Sequence, residues 1–243
     1  NQFKVVNGNQ TSGADAADYM SLQYKLEAQD IANSGWDYTS TSSYITLSFW
    51  VRSSVAQNFY GYLKTQDGTA QNYPFETGSL SANTWTKITK TIPGNANLTF
   101  DNDNATGISI NISPFWGTDY TASGVSLNGW ITWVAGSRLP DNTSTWWTTP
   151  DATFAITGVQ LEVGSVPTEF EHRSYADELL RCQRYYYRME SDDGTNSMFC
   201  LGWASSSTDF QTFVKFPTTM RDTPSAIEQT GTASHYRVNA GHG

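Results

Sequence analysis

Charge is what this 243-residue sequence has least of: Asp, Glu, Lys and Arg make up 15% of it, against about 25% in an ordinary soluble domain. Cations are the scarcer sign, 14 Lys and Arg against 23 Asp and Glu, for a net charge of −9. So few and scattered cations argue against a protein that tracks phosphate backbones. No apolar run approaches the about 18 residues of a membrane span, so neither nucleic acid nor membrane is expected as a partner. Histidine is limited to His172, His235 and His242, all late in the chain, and GxSxG, HExxH and phosphate-binding glycine loops are missing. The chain is therefore read as non-enzymatic. The two cysteines, Cys182 and Cys200, form no CxxC or metal pattern. They are expected to be small buried apolar side chains, with a disulfide between them left open. The ends, Asn1 and Gly241-His242-Gly243, suggest a fragment or a trimmed chain.

Aromatic residues are abundant instead: 14% of the chain, with 9 Trp, 13 Tyr and 12 Phe. Rings in that number bury enough surface to offset chain entropy, which excludes disorder. The dominant pattern has period two. In Tyr19–Glu27, Met20, Leu22, Tyr24 and Leu26 share one face, and in Tyr44–Arg52, Ile45, Leu47, Phe49 and Val51 do so. Further strands are expected at Phe59–Lys64, Trp85–Ile92, Ile108–Ser113, Trp130–Val134 and Phe154–Val163, separated by Gly, Asn, Asp, Ser and Thr. In the last, Phe154 and Ile156 alternate one residue out of phase with Val159, Leu161 and Val163, which predicts a β-bulge at Thr157-Gly158 keeping both runs toward the core.

One helix is expected, at Tyr175–Gln183, opened by Ser174 and Asp177 and turning Leu179, Leu180 and Cys182 toward an apolar contact. Beyond it, Arg184–Glu190, Met198–Ala204 and Phe210–Phe216 read as strands of a small unit that needs packing partners. The expectation is an all-β chain: a β-sandwich over 1–173, a linker helix over 174–183 and a small β module over 184–243, with almost no helix elsewhere.

The run Ile156-Thr157-Gly158-Val159-Gln160-Leu161-Glu162-Val163-Gly164, then Pro167–Glu171 and Tyr175–Tyr187 (YADELLRCQRYYY), resembles a module of bacteriophage tail-fibre and other virion proteins. Tyr44–Ser53 (YITLSFWVRS), Asn83–Lys87, Thr91–Gly94 with Asp103-Asn104, and Phe216–Arg221 with Pro224 add to the resemblance. It implies a jelly roll similar to carbohydrate-binding modules, carried on a virion. The implied partners are a bacterial surface glycan, other virion proteins and further copies of the chain, as a homotrimer. It also implies that a structural Ca²⁺ could be held by oxygen ligands, for which Asp101 and Asp103 in Asp101-Asn102-Asp103-Asn104 are the candidates. The competing reading of that run is a hydrated turn. No other cofactor is expected.

Aromatic residues in polar loops carry the functional expectation. Trp116 and Tyr120 flank Asp119, and Trp146-Trp147 follow Arg138, Asp141 and Asn142. Sugars stack their C–H faces on rings while carboxylates, amides and Arg bond their hydroxyls. These eight residues are the candidate glycan site. Trp36 and Tyr38 lie in a similar polar stretch, whereas Trp50, Trp85, Trp130 and Trp133, on expected strands, are assigned to the core. The function expected is host-surface adhesion without cleavage. The alternatives are a structural fibre or decoration domain and a polysaccharide depolymerase, which would need two facing carboxylates.

Overall fold

The computed structural model describes residues 2–10, 12–189, 202–206, 209–226 and 228. Contacts divide the chain into two units, Asn1–Glu171 and His172–Gly243. In the first unit, β1 (Phe3–Val6), β9 (Thr153–Val163), β3 (Tyr44–Ser53) and β6 (Thr86–Pro93) form an antiparallel sheet in that order. A second antiparallel sheet runs β2 (Tyr19–Glu27), β7 (Thr106–Trp116), β4 (Asn58–Thr65), β5 (Gln71–Ser79) and β8 (Ile131–Thr132). With the short β8 set aside, the orders 1-9-3-6 and 2-7-4-5 are those of a jelly roll. The all-β sandwich expected from the period-two patterning is the fold found.

The two inner faces make one core. Leu47, Phe49 and Val51 of β3 are fully buried, and join Phe59, Leu63, Phe75, Ile108, Ile110 and Ile112 from the second sheet. Each such side chain contributes about 1.5–3 kcal/mol through burial. The bulge falls where the phase break placed it: Ser48 pairs with Gln160 and Trp50 with Thr157, so β9 carries one extra residue. Gly158 takes φ +58° there, a conformation that costs other residues. Beyond the bulge, burial is less than expected. β1 pairs only with Thr153–Ile156, and Val159 and Val163 stay exposed.

Two strands lay outside the sequence reading. β1 is short and mostly exposed. β5 contains Pro74, which lacks the N–H a central strand needs. Its partner β8 pairs only with Gln71 and Asn72, so at Pro74 the strand is an edge and proline is tolerated. Two short helices, α1 (Ala28–Ala32) and α2 (Thr145–Thr148), interrupt the loops. β8 is shorter than the five-residue strand expected at Trp130–Val134.

In the second unit, α3 (Tyr175–Gln183) has the expected bounds, and the Ser174 hydroxyl accepts the Asp177 N–H at 3.2 Å. No α3 residue is buried: Leu179, Leu180 and Cys182, expected to pack, are exposed. A hairpin of β10 (Gly202–Ala204) and β11 (Phe210–Thr212) follows. Arg184–Met189 is not a strand, and neither is Phe213–Phe216. Glu190, Met198–Leu201 (with Cys200), His235 and His242 lie outside the described residues.

Candidate functional site

Strand alternation sends every second residue of the second sheet away from the core, and register aligns them in rows. Lys25, Ser109, Lys64 and Asn72 form one row across β2, β7, β4 and β5. Gln23, Asn111, Tyr62 and Pro74 form the next. In the third, Ser113, Tyr60 and Glu76 align across β7, β4 and β5. Ser21 joins them from β2: at the β2–β7 register shift its hydroxyl accepts the Ser113 hydroxyl at 2.9 Å. This outer face is therefore polar and aromatic.

Side-chain bonds knit it together. The Gln23 amide donates to Asn111 Oδ1 at 3.0 Å, and the Trp116 indole N–H donates to Ser113 Oγ at 2.6 Å. Asn72 donates from Nδ2 to the Arg138 carbonyl at 2.8 Å, which holds the loop bearing Arg138 on the sheet. The buried Asn72 Oδ1 accepts nothing.

The segment after β7 folds onto this face and builds a second apolar cluster, in which Tyr62, Trp116 and Leu139 are buried with Tyr60, Tyr120 and Trp133 against them. Tyr19 stacks on Trp116 with centroids 4.5 Å apart and planes 8° from parallel. The Arg138 guanidinium lies 4.4, 4.8 and 5.2 Å from the Tyr120, Trp116 and Trp133 ring centroids. Lys64 Nζ lies 4.4 Å from the Trp133 ring. Burial, then the charges of Arg138 and Lys25, hold the Lys64 ammonium below its ordinary pKa. Burial raises the Tyr62 phenol above its usual range, against the pull of Arg138.

Of the eight residues expected to bind glycan, the structure gathers Trp116, Tyr120 and Arg138 in this cluster. Asn142 donates to the Trp116 carbonyl at 3.3 Å, and Asp141 accepts from Thr121 Oγ1 at 2.9 Å, so both brace the same segment. Asp119 is exposed beside Tyr120, its N–H bonded to the Ala16 carbonyl.

Several expectations about individual rings are corrected. Trp116 ends strand β7 instead of lying in a loop, and is only 4% exposed under Tyr19 and Tyr120. Trp146 is 0% exposed, its indole N–H held by the Thr153 carbonyl at 3.1 Å; it is a core residue with no face to offer a sugar. Trp147 packs on Phe115 and lines a separate cavity of about 320 Å³ with Asn7, Asn9, Gln10 and Met20. Trp36 is buried against Tyr38 and Phe100. Conversely, Trp50 is 42% exposed on the outer face of the first sheet, and Trp133 belongs to the candidate site instead of the main core.

Tyr60, Tyr62, Lys64 and Asn111 stand on strands β4 and β7, away from the loops on which the sequence expectation rests. The signal was present in Phe59–Lys64, where Phe59, Gly61 and Leu63 alternate with Tyr60, Tyr62 and Lys64, giving a strand with large rings on both faces.

For the calcium candidates, the Asp101 N–H donates to Asp67 Oδ2 at 3.2 Å and Asp103 Oδ1 accepts the Ala105 N–H at 2.9 Å. Burial, followed by the nearby charges of Asp101 and Asp103, pushes the Asp67 carboxyl up against a hydrogen bond from the Asp101 backbone. Among the described residues no group of three His, Cys, Asp or Glu side chains is placed to hold a metal ion.

Compared with known proteins, the chain matches no family model, no curated protein and no solved structure.

Proposed function

We propose that this chain is the receptor-facing part of a bacteriophage virion appendage and holds bacterial surface polysaccharide without cleaving it. The observation that carries the reading is the outer face of the second sheet, where Tyr60, Tyr120 and Trp133 are partly exposed beside Ser21, Gln23, Lys64 and Arg138. Rings with adjacent amides, hydroxyls and cations match the alternating C–H faces and hydroxyls of a sugar chain. Glu76 is the one carboxylate in the three rows, whereas glycoside hydrolysis needs two facing each other. The resemblance of the Ile156–Tyr187 stretch to virion modules supplies the setting.

The second unit supports assembly as a trimer. Tyr175, Tyr185, Tyr186, Trp203 and Phe213 are exposed in the single chain, and other copies would cover them. Copies side by side would raise weak single-site binding through avidity.

The test is incubation of the purified chain with bacterial surface polysaccharides, reading retention and reducing-sugar release together. Retention without release is expected; release would make the chain a depolymerase, and neither would leave a structural domain. Light scattering should give three times 26.9 kDa, and a monomer mass would contradict the trimer.

A further inference from the structure

Among the described residues, the cations on the candidate face pair with no carboxylate. Lys25 and Lys64 flank Ser109 in one row, two strand spacings or about 10 Å apart at their backbones. Arg138 meets Lys64 at the Trp133 ring. Among the described residues none of the three is in an ion pair. Of the neighbouring carboxylates, Glu27 accepts from Gln29 at 2.6 Å and Asp141 accepts from Thr121 at 2.9 Å, while Asp119 is exposed beside Tyr120 and in no ion pair among the described residues. Glu76, which accepts from Asn58 at 2.7 Å, lies two rows from Lys64, about 13 Å along the strands.

This concentration stands out in a chain with 14 basic residues and a net charge of −9. Converging like charges raises the free energy of the empty site, the more so for Lys64, which is partly withdrawn from water. An anion placed among them removes that repulsion, and the surrounding rings lower the local dielectric and strengthen the attraction. A neutral sugar gives no such relief. In the next rows Asn111, Tyr62 and Ser113 are buried, so the exposed Gln23 amide and the half-buried Ser21 and Tyr60 hydroxyls would meet the rest of a glycan.

We propose that Lys25, Lys64 and Arg138 select glycans bearing an oxyanion, the carboxylate of a uronic-acid unit or a phosphate ester, over neutral glycans. The inference rests on the adhesion reading and names the class of glycan that the face takes.

The experiment is titration of the full chain with oligogalacturonate, a phosphorylated gluco-oligosaccharide and a neutral gluco-oligosaccharide of equal length, read by calorimetry. At least one acidic oligomer should bind about ten-fold or more tightly than the neutral one. That advantage should shrink as salt rises from about 50 to about 300 mM, and the stronger arm distinguishes carboxylate from phosphate. Lys64→Gln and Arg138→Gln should each remove the advantage, Arg138→Lys should retain part of it, and Lys87→Gln on the first sheet should leave it intact. Equal binding of neutral and acidic oligomers overturns the charge selection while adhesion stands. An acidic preference that survives Lys64→Gln in a folded chain overturns the assignment to this face. Failure of all three to bind at millimolar concentration overturns the selection and the adhesion reading together.

Discussion

Lys64 and Arg138 bring two positive heads to one indole, within 4.4 and 5.2 Å of the Trp133 ring centroid. Cation–π attraction accounts for each contact alone, but not for placing two cations together without a carboxylate.

Folding accordingly works against the Lys64 charge. A base whose pKa is lower in the folded chain binds fewer protons there than when unfolded, so stability rises with pH through the alkaline window where Lys64 deprotonates. Below that window the charged form is a net cost. Lys64→Gln should therefore raise the melting temperature at neutral pH while weakening glycan binding, as read by calorimetry on one preparation. A lower melting temperature would show that the lysine contributes more to packing than its charge costs.

Two tryptophans exchange the roles expected of them, Trp146 in the glycan site and Trp133 in the core, and should behave accordingly. Trp146→Ala empties a fully buried site and should cost about 3–5 kcal/mol in denaturant unfolding. Trp133, half-buried against Tyr62 and Lys64, should cost well under that when truncated, and its loss should appear in binding.

Two glycines should also separate. Gly158 sits at φ +58° in the bulge, but an added Cβ would come no closer than 3.4 Å to Trp50. Gly158→Ala should cost about 1–2 kcal/mol, from backbone strain alone. At Gly61 a Cβ would stand 2.4 Å from Phe75 Cζ and 2.7 Å from the Asn111 carbonyl oxygen. Gly61→Ala should cost more than Gly158→Ala and disturb the face itself, since Asn111 lies on it. Paired unfolding curves check the order.

Acid should loosen the turn after β9 only once the pH falls below the range in which ordinary glutamates titrate. Burial raises the Glu162 pKa, but bonds from Gln160 and Thr168 and the charge of Lys87 outweigh it and bring it below the ordinary glutamate value. A carboxylate depressed in this way stabilises the fold above the unfolded pKa, and that contribution is lost as pH falls through the folded one. The Thr168 amide bonded to Glu162 Oε1 at 3.0 Å should report this by NMR, with a midpoint below that of a free glutamate peptide. Glu162→Gln should abolish the titration.

The fold was legible where patterning is strong and local. Period two set β2 and β3, a single phase break located the bulge, and Ser174 with Asp177 fixed the start of α3. The strand containing Pro74 was hidden because proline tolerance depends on where pairing with β8 ends, which is a tertiary fact. The site was half legible. Trp116, Tyr120 and Arg138 belong to it, but loop position was a poor guide to exposure. Trp146 is drawn inside by a short helix and a bond to Thr153, while Tyr60 and Lys64 reach the surface from the middle of a central strand. Which face of a strand stays open depends on what the following segment covers, and Leu139 and Arg138 come from more than 70 residues downstream of Lys64.

The central claim is that the outer face of the second sheet holds surface glycan. Its most direct measurement is retention of the purified chain on immobilised bacterial capsular and lipopolysaccharide glycans, native against a Tyr60→Ala/Trp133→Ala double variant whose folding is verified by its melting curve. The native chain should be retained on at least one glycan, and the folded variant should be lost from it. Equal retention of the two proteins, or no retention of the native chain on any of the glycans, would contradict the claim.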